Sequence, residues 1–583
     1  MNKSNNLKIV FLMSIGIFLC MIDTTIMNIA LPAIQSDLHT TLEQMSWVLN
    51  IYTISIAVFS IPLGRVADIF GKTKIYILGL FIFGIGSLLC AFANSGELLI
   101  SFRFIQSIGA AILFPTSMVI GVSSVSMEKR TKALAILGVT QGLSAALGPA
   151  LGGLITEFLG WRWVFIVNIP VCILAIILCL KMLPVKNEEK LPAKIDWFGL
   201  VTSSVAITLL TVGVVKGNEW GWTSYKSIAC FLGSAIFLLF FIRVERKVSA
   251  PMINLNLFKD RTFVGAAIVV VLSNIFLVGV TVILPTFLTR IQNKTELGAA
   301  LLITPISAMI FVFSPLAPLF LKKLGKLLVI LIGFILMAGA YYLLQHIDIH
   351  STGKDIIIPC MLLGIGFGVL VGPVTILAAS SFEGEMLTAS QSVTTMLRQV
   401  GIVLAVAIFV SSLNHNIKES KGNIRQYAQE QVDKIGLDKS DKSKILKKVN
   451  ADINSESIKV QKKGSEVTLN SYVSDKQREA IINKQVSSAL NSIPEEYKEN
   501  QKNDITEQVT KKVDNNLKHI QLEISNTSKN IHDYSETEIT ASFNKLYKYS
   551  IPFILVCSLF SLVFIEKRRK SNTVKKVLED TQV

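Results

Sequence analysis

The chain has 583 residues, a mass of 64.1 kDa and a formal charge of +16. Charged residues make up 17% and hydrophobic residues 51%, with a mean hydropathy of +0.53, whereas a soluble domain carries roughly 25% charged residues. This balance excludes an ordinary soluble enzyme, and it leaves too little polar surface for the pI of 9.4 to indicate a nucleic-acid binder.

Residues 9–31 form an apolar run close behind the N-terminal Met1-Asn2-Lys3. The run contains Asp23 and no small-residue cleavage site follows it, so a retained transmembrane helix is expected rather than a signal peptide. Further runs long enough for a hydrocarbon core of ~30 Å follow at 45–64, 75–94, 98–123, 132–157, 163–183, 197–216, 227–243, 263–288, 298–321, 327–346, 355–377, 389–412 and 548–566. The expected architecture is therefore an all-α membrane protein with 14 transmembrane helices. Cys20, Cys90, Cys172, Cys179, Cys230, Cys360 and Cys557 all fall in apolar runs without a C-x-x-C pair, and read as buried hydrophobes rather than disulfides or metal ligands.

Placing both termini in the cytoplasm puts 26 Lys and Arg in the inside segments and six in the short outside loops. That bias sets the orientation. The loop between the twelfth and thirteenth spans is the one inside segment with neither residue. Residues 414–546 are polar, with 22 basic and 20 acidic side chains, and this orientation places them outside the cell. Apolar residues recur there at helical spacing (Ile424, Tyr427, Ala428, Val432, Ile435; later Ile505, Val509, Val513, Leu517, Ile520, Ile524), predicting amphipathic helices in a hairpin. A folded cap and a solvated insertion both fit this composition.

A weak repeat divides the chain. The second span ends in Gly64-Arg-Val-Ala-Asp68-Ile-Phe-Gly71-Lys72, and the tenth in Pro318-Leu-Phe-Leu-Lys322-Lys-Leu-Gly325-Lys326. The first span is expected to end at Pro32 and the ninth near Pro285. Aligning these ends gives an N-terminal bundle at 1–190, an inserted pair of spans at 191–250 and a C-terminal bundle at 251–413. The segment 414–546 follows, then a last span with a tail at 547–583. The charges are not repeated: Phe276 stands opposite Asp23, and Lys322 opposite Asp68.

Charge inside a span costs several kcal/mol and usually pairs or lines a cavity. Asp23, Arg103 and Arg398 are the three such cases. Helical rise places Asp23 ~13 Å and Arg103 ~8–9 Å below one face, close enough to meet. An Arg that moves could switch the carboxylate between holding and releasing a proton; a static ion pair tying two helices is the alternative. Asp68, between Gly64 and Gly71-Lys72, could face the positive N-terminus of a neighbouring helix and act as a latch. The Gly-Lys-Thr at 71–73 is not a phosphate loop, because Val66 stands where its first Gly is required. Gly148, Pro149, Gly152 and Gly153, with Gly142, make the fifth span close-packed and bendable, as a gate needs. Asn28, Trp47, Asn50, Tyr52, Gln106, Gln141, Asn274 and Gln399 are candidates for a central cavity. Arg398 would there counter an anionic substrate or brace the fold. Tyr341 and Tyr342 read as interface anchors. No nucleophile–base constellation or metal-ligand cluster is present in the sequence, so neither an enzyme nor a metal cofactor is expected.

Asp23-Thr-Thr-Ile-Met-Asn28-Ile-Ala-Leu-Pro32, Gly64 to Lys74, Arg103-Phe-Ile-Gln106-Ser107-Ile-Gly109, Gly148-Pro149-Ala-Leu-Gly152-Gly153 and Trp161-Arg-Trp163-Val-Phe165-Ile-Val-Asn168-Ile-Pro170 occur in order. Together they resemble the motifs of the fourteen-helix drug:proton antiporters of the major facilitator superfamily, with Ser107 where Gly is usual. The resemblance implies export of hydrophobic, often cationic small molecules in exchange for protons, with the proton gradient as energy source and Asp23 and Arg103 as the coupling pair. It departs from quaternary-ammonium exporters in having no acid within the tenth span, where Glu296 only borders the end. The rival expectations are an exporter of a lipid or lipid-linked molecule and a non-transporting scaffold or sensor.

Overall fold

The computed structural model describes residues 7–184, 188, 196–248, 251, 253, 255–435, 439–454, 475–492, 494 and 498–564. The Lys and Arg expected at both extreme termini, and the domain boundaries expected near 190 and 250, lie wholly or partly outside these residues. The N-terminal helices are α1 (Leu7–Asp37), α2 (Leu42–Phe70), α3 (Lys72–Ala91), α4 (Gly96–Ser123), α5 (Arg130–Phe158), α6 (Trp163–Ile166) and α7 (Asn168–Met182). A pair follows, α8 (Trp197–Trp220) and α9 (Tyr225–Glu245). The C-terminal set is α10 (Arg261–Arg290), α11 (Glu296–Phe313), α12 (Ala317–Leu344), α13 (Gly353–Ser380) and α14 (Gly384–Asp433). Two shorter helices, α15 (Lys439–Asn454) and α16 (Asp475–Leu490), precede α17 (Lys498–Ser558).

Among the described residues, 13 helical runs are long and apolar enough to cross a membrane. One of them, Glu296–Leu344, has 49 residues and is broken at Gly325, whose φ is +78°. The aligned Gly71 also has positive φ, +112°. The Gly-Lys repeat therefore marks the same sharp turn in both halves, in a backbone region that L side chains disfavour. Pro32 and Pro285 do not end their helices, contrary to expectation. α1 continues to Asp37 and α10 to Arg290. A proline removes one ladder hydrogen bond, but Ile34, fully buried, packs into the N-terminal core beyond Pro32, and Ile34 O accepts from Leu38 N at 2.9 Å.

Helices α1 to α7 pack as one bundle, and α10 to α14 with the end of α17 as another. The bundles meet along two seams, α5 on α11 and α2 on α14. α8 and α9 pack on each other, and α8 touches the second seam. Small residues permit these contacts. At Gly109 a Cβ would stand 2.5 Å from Phe83 N and 2.7 Å from Gly79 O, which fixes α4 against α3. At Gly152 and Gly153 a Cβ would stand 3.2 Å from Ile26 Cα and 3.2 Å from Leu297 Cα, so α5 is wedged between α1 and α11. α5 is one continuous helix across Pro149.

α14 and α17 run well past the length a bilayer needs, and lie antiparallel. Asn416 Nδ2 donates to Ser542 O at 2.9 Å, Ser420 Oγ to Glu538 O at 3.0 Å, and Tyr427 stacks on Tyr534 at 4.1 Å. Ala428, Val432 and Ile435 bury against Ile524 and Ile531, with Ile445 of α15. Val513 and Leu517 bury against Ile482 and Val486 of α16. The helical periodicity read from 414–546 included Ala428, Val432, Ile435, Val513, Leu517 and Ile524 of these two clusters but not Ile445, Ile482, Val486 or Ile531.

Overpacking a close helix crossing costs about 1–3 kcal/mol. Gly109→Ala is expected to lower the thermal unfolding midpoint of the detergent-solubilised protein. Gly422→Ala, where a Cβ meets nothing within 4 Å, is expected to hold or raise it.

Candidate functional site

The site is built around a single carboxylate. Asp23 in α1 is 1% exposed and Arg103 in α4 is fully buried. Arg103 Nη1 donates to Asp23 Oδ2 at 2.5 Å, and Gln106 Nε2 to Asp23 Oδ1 at 2.8 Å. Asn168 Nδ2 reaches the same Oδ1 at 3.3 Å. Behind these groups Ser87 Oγ accepts from Asn168 at 3.0 Å and from Gln106 at 3.3 Å, and donates to Phe165 O at 2.9 Å. Arg103 Nη1 also bonds Gln106 Oε1 at 2.8 Å, and its guanidinium carbon lies 4.2 Å from the centre of the Tyr52 ring. One carboxylate therefore gathers polar groups from α1, α3, α4 and α7. A buried charge is tolerable only when paired and hydrogen-bonded in this way.

A cavity of about 140 Å³ lies between the bundles. Of the residues expected there, Asn28, Asn50, Tyr52, Gln141, Asn274 and Arg398 line it. Three do not. Gln106 is turned into the Asp23 cluster, Trp47 packs beside Ile54, Val58 and Val403 on the α2–α14 seam, and Gln399 is buried off the cavity wall. Arg103 lines the cavity and Asp23 does not, so the carboxylate sits one side chain behind the wall. Pro149 and Gly142 of α5 also line it. Thr24, Thr25, Thr53 and Ser307 contribute hydroxyls that sequence reading missed. Thr24 and Thr25 adjoin Asp23 in the first-span motif, which was the available signal.

The face bearing the α2–α3 turn is closed by charge. Lys72 Nζ lies 2.9 Å from Asp68 Oδ1, and Thr388 Oγ1 in the first turns of α14 donates to the same oxygen at 3.3 Å. Asp68 thus meets a side chain of the second turn of α14, across the seam between bundles. Arg65 pairs with Glu385, and Arg130 with Glu383 at 3.2 Å. Glu383 and Glu385 occupy the loop that lacks Lys and Arg. Its acidity meets basic residues of the other bundle, and this was the overlooked signal for these ion pairs. At the opposite face Trp161 Nε1 and Arg162 Nη1 donate to Asp37 Oδ2 at 3.0 and 2.8 Å, tying the Trp161-Arg-Trp163 motif to the end of α1.

Tyr341 is not an interface anchor. It is fully buried, and its hydroxyl donates to Phe276 O at 2.6 Å. Phe276 and Tyr341 pack edge to face at 6.1 Å. An aromatic pair thus occupies the C-terminal bundle at the position aligned with Asp23.

Two helix bundles meeting around a central cavity, with charge buried beside it, define the architecture of a secondary transporter. Residues 13–406 match the model of the Major Facilitator Superfamily, and the chain belongs to that family. It is 29% identical over 402 residues to the multidrug transporter protein MdtP of Bacillus subtilis, covering 69% of this chain and 74% of that one. It is 28% identical to the probable multidrug resistance protein EmrY of Escherichia coli, covering 69% and 80%. It is also 29% identical to the riboflavin transporter RibZ of Clostridioides difficile, covering 70% and 90%.

Reversing one partner of the Arg65–Glu385 pair sets like charges against each other. With a Ser392→Cys reporter on the same seam, Arg65→Glu is expected to raise labelling by an impermeant thiol reagent about fivefold, the equivalent of ~1 kcal/mol. Adding Glu385→Arg should restore protection; purely additive effects of the two reversals would contradict the pairing.

Proposed function

We propose that the chain is a proton-coupled exporter of hydrophobic small molecules that works by alternating access in the cytoplasmic membrane. In this reading the face closed by Arg65–Glu385 and Arg130–Glu383 is cytoplasmic, which agrees with the positive-inside bias. The break at Gly325 divides Glu296–Leu344 into two crossings, giving 14 in all. The paired ends of α14 and α17, with α15 and α16, then stand outside the cell.

The observation that carries the reading is the Asp23–Arg103 pair one side chain behind the cavity wall. Asp23 Oδ2 accepts from Arg103, and Arg103 itself reaches the cavity. Movement of Arg103 toward the cavity would free Oδ2 to take a proton, and its return would expel that proton. Because Arg103 stays charged, protonation leaves a net positive charge beside the cavity. Occupancy of the cavity and of the carboxylate are thereby linked through one side chain. The Asp68–Thr388 contact and the two ion pairs would open when the bundles rock the other way.

The multidrug relatives support export of foreign hydrophobic compounds. The riboflavin transporter among them marks cargo as variable within one architecture, so cargo chemistry is a matter for the cavity wall.

The test uses everted membrane vesicles under an imposed pH gradient, with a panel of fluorescent hydrophobic dyes of either charge. Asp23→Asn is expected to lose uphill dye movement by at least about tenfold while retaining downhill equilibration. Uphill transport undiminished in that variant would remove Asp23 from the coupling role.

A further inference from the structure

The cavity wall carries two guanidinium groups and no carboxylate. Arg103 is neutralised by Asp23 at 2.5 Å. Arg398 is not comparably neutralised. It is 5% exposed, its Nη1 donates to Gln141 Oε1, and its guanidinium carbon lies 5.3 Å from the Phe114 ring centre. Among the described residues no carboxylate comes within 4.0 Å of it. Gln141 spends its acceptor oxygen on Arg398, and its Nε2 is left with no hydrogen-bond partner among the described residues. The Arg398–Gln141 pair therefore holds donors in excess of acceptors, in a place where an uncompensated cation is costly. α11 and α13 line the cavity mainly with apolar side chains, Ile303, Ile306, Ile310, Phe367 and Val371, beside the single hydroxyl of Ser307.

A polar stripe leads to this point. Thr388, Gln391, Ser392 and Thr395 are buried on α14 at helical spacing before Arg398. Thr388 belongs to the latch through Asp68, and Ser392 lies against Gly64 of α2. These side chains share one helix with Arg398 and lie between it and that face.

We propose that the preferred cargo is a hydrophobic small molecule carrying one negative charge, with its acidic group on Arg398 and Gln141 and its apolar body against α11 and α13. A hydrophobic cation would meet a wall whose net formal charge is positive. Arg398 is the specificity-determining residue in this arrangement. The assignment rests on the cavity being the transport site, and not on Asp23 being the proton carrier.

The experiment measures equilibrium binding to the purified full-length protein in phosphatidylcholine nanodiscs, read by fluorescence anisotropy. The probes are N-dansyl-phenylalanine and its carboxamide, which share an apolar body and differ in the charge. The acid is expected to bind the wild type at least about tenfold more tightly than the amide, the worth of a hydrogen-bonded charge. Arg398→Met should erase that preference and Arg398→Lys should keep part of it, with circular dichroism checking the fold of each. Should Arg398→Met fail to fold, the wild-type acid-to-amide ratio and the Arg398→Lys variant still decide. Equal affinities in the wild type, tighter binding of the amide, or no binding of either probe would overturn the proposal. So would displacement of the acid when phosphatidylglycerol replaces phosphatidylcholine, which would give the site to a lipid headgroup. If Asp23→Asn vesicles still pump while the acid preference holds, only the coupling role falls.

Discussion

A carboxylate within a bilayer has to be paired, and the pairing of Asp23 organises the N-terminal bundle. Its two oxygens accept from Arg103, Gln106 and Asn168, while Ser87 joins the last two from behind. Four helices converge on one charge, and losing either partner of a buried pair costs about 3–5 kcal/mol. The aligned position in the C-terminal bundle holds Phe276 against Tyr341 instead. One bundle is thus centred on a buried ion pair and the other, at the aligned position, on aromatic packing.

The second constraint lies at the latch. Acidic Glu383 and Glu385 face basic Arg65 and Arg130, and Asp68 sits at the start of α14. The Arg65–Glu385 and Arg130–Glu383 pairs are partly open to water and individually weak, whereas the Asp68–Thr388 contact is buried. α14 links this latch to the cavity, since it carries Thr388 at one level and Arg398 at another. The glycines of α5 allow the other seam, where α5 lies between α1 and α11.

Much of this was legible in the sequence because a membrane makes sequence rules strict. Apolar length gave the spans, and intramembrane charge singled out Asp23, Arg103 and Arg398. The Gly71 and Gly325 pairing also held at the level of backbone conformation. Helix ends were less legible. Pro32 and Pro285 look like stops, but packing of residues beyond them carries the helices on. Side-chain direction was least legible. Gln106, Trp47 and Gln399 share polar or aromatic character with the cavity residues, yet their rotation about the helix axis turns them elsewhere. Tyr341 near a helix end resembled an anchor, although a backbone carbonyl in the neighbouring helix claims its hydroxyl. The ion pairs between bundles were hidden for a different reason, because their partners lie 320 positions apart for Arg65–Glu385 and 253 for Arg130–Glu383.

The central claim is that one carboxylate, Asp23, exchanges its proton as cargo comes and goes. The most direct measurement adds the fastest-moving dye of the vesicle panel to purified protein in weakly buffered solution and follows pH with an indicator. A change of about one bound proton per bound dye in the wild type and none in Asp23→Asn is the expected result. An equal change in both proteins would contradict it.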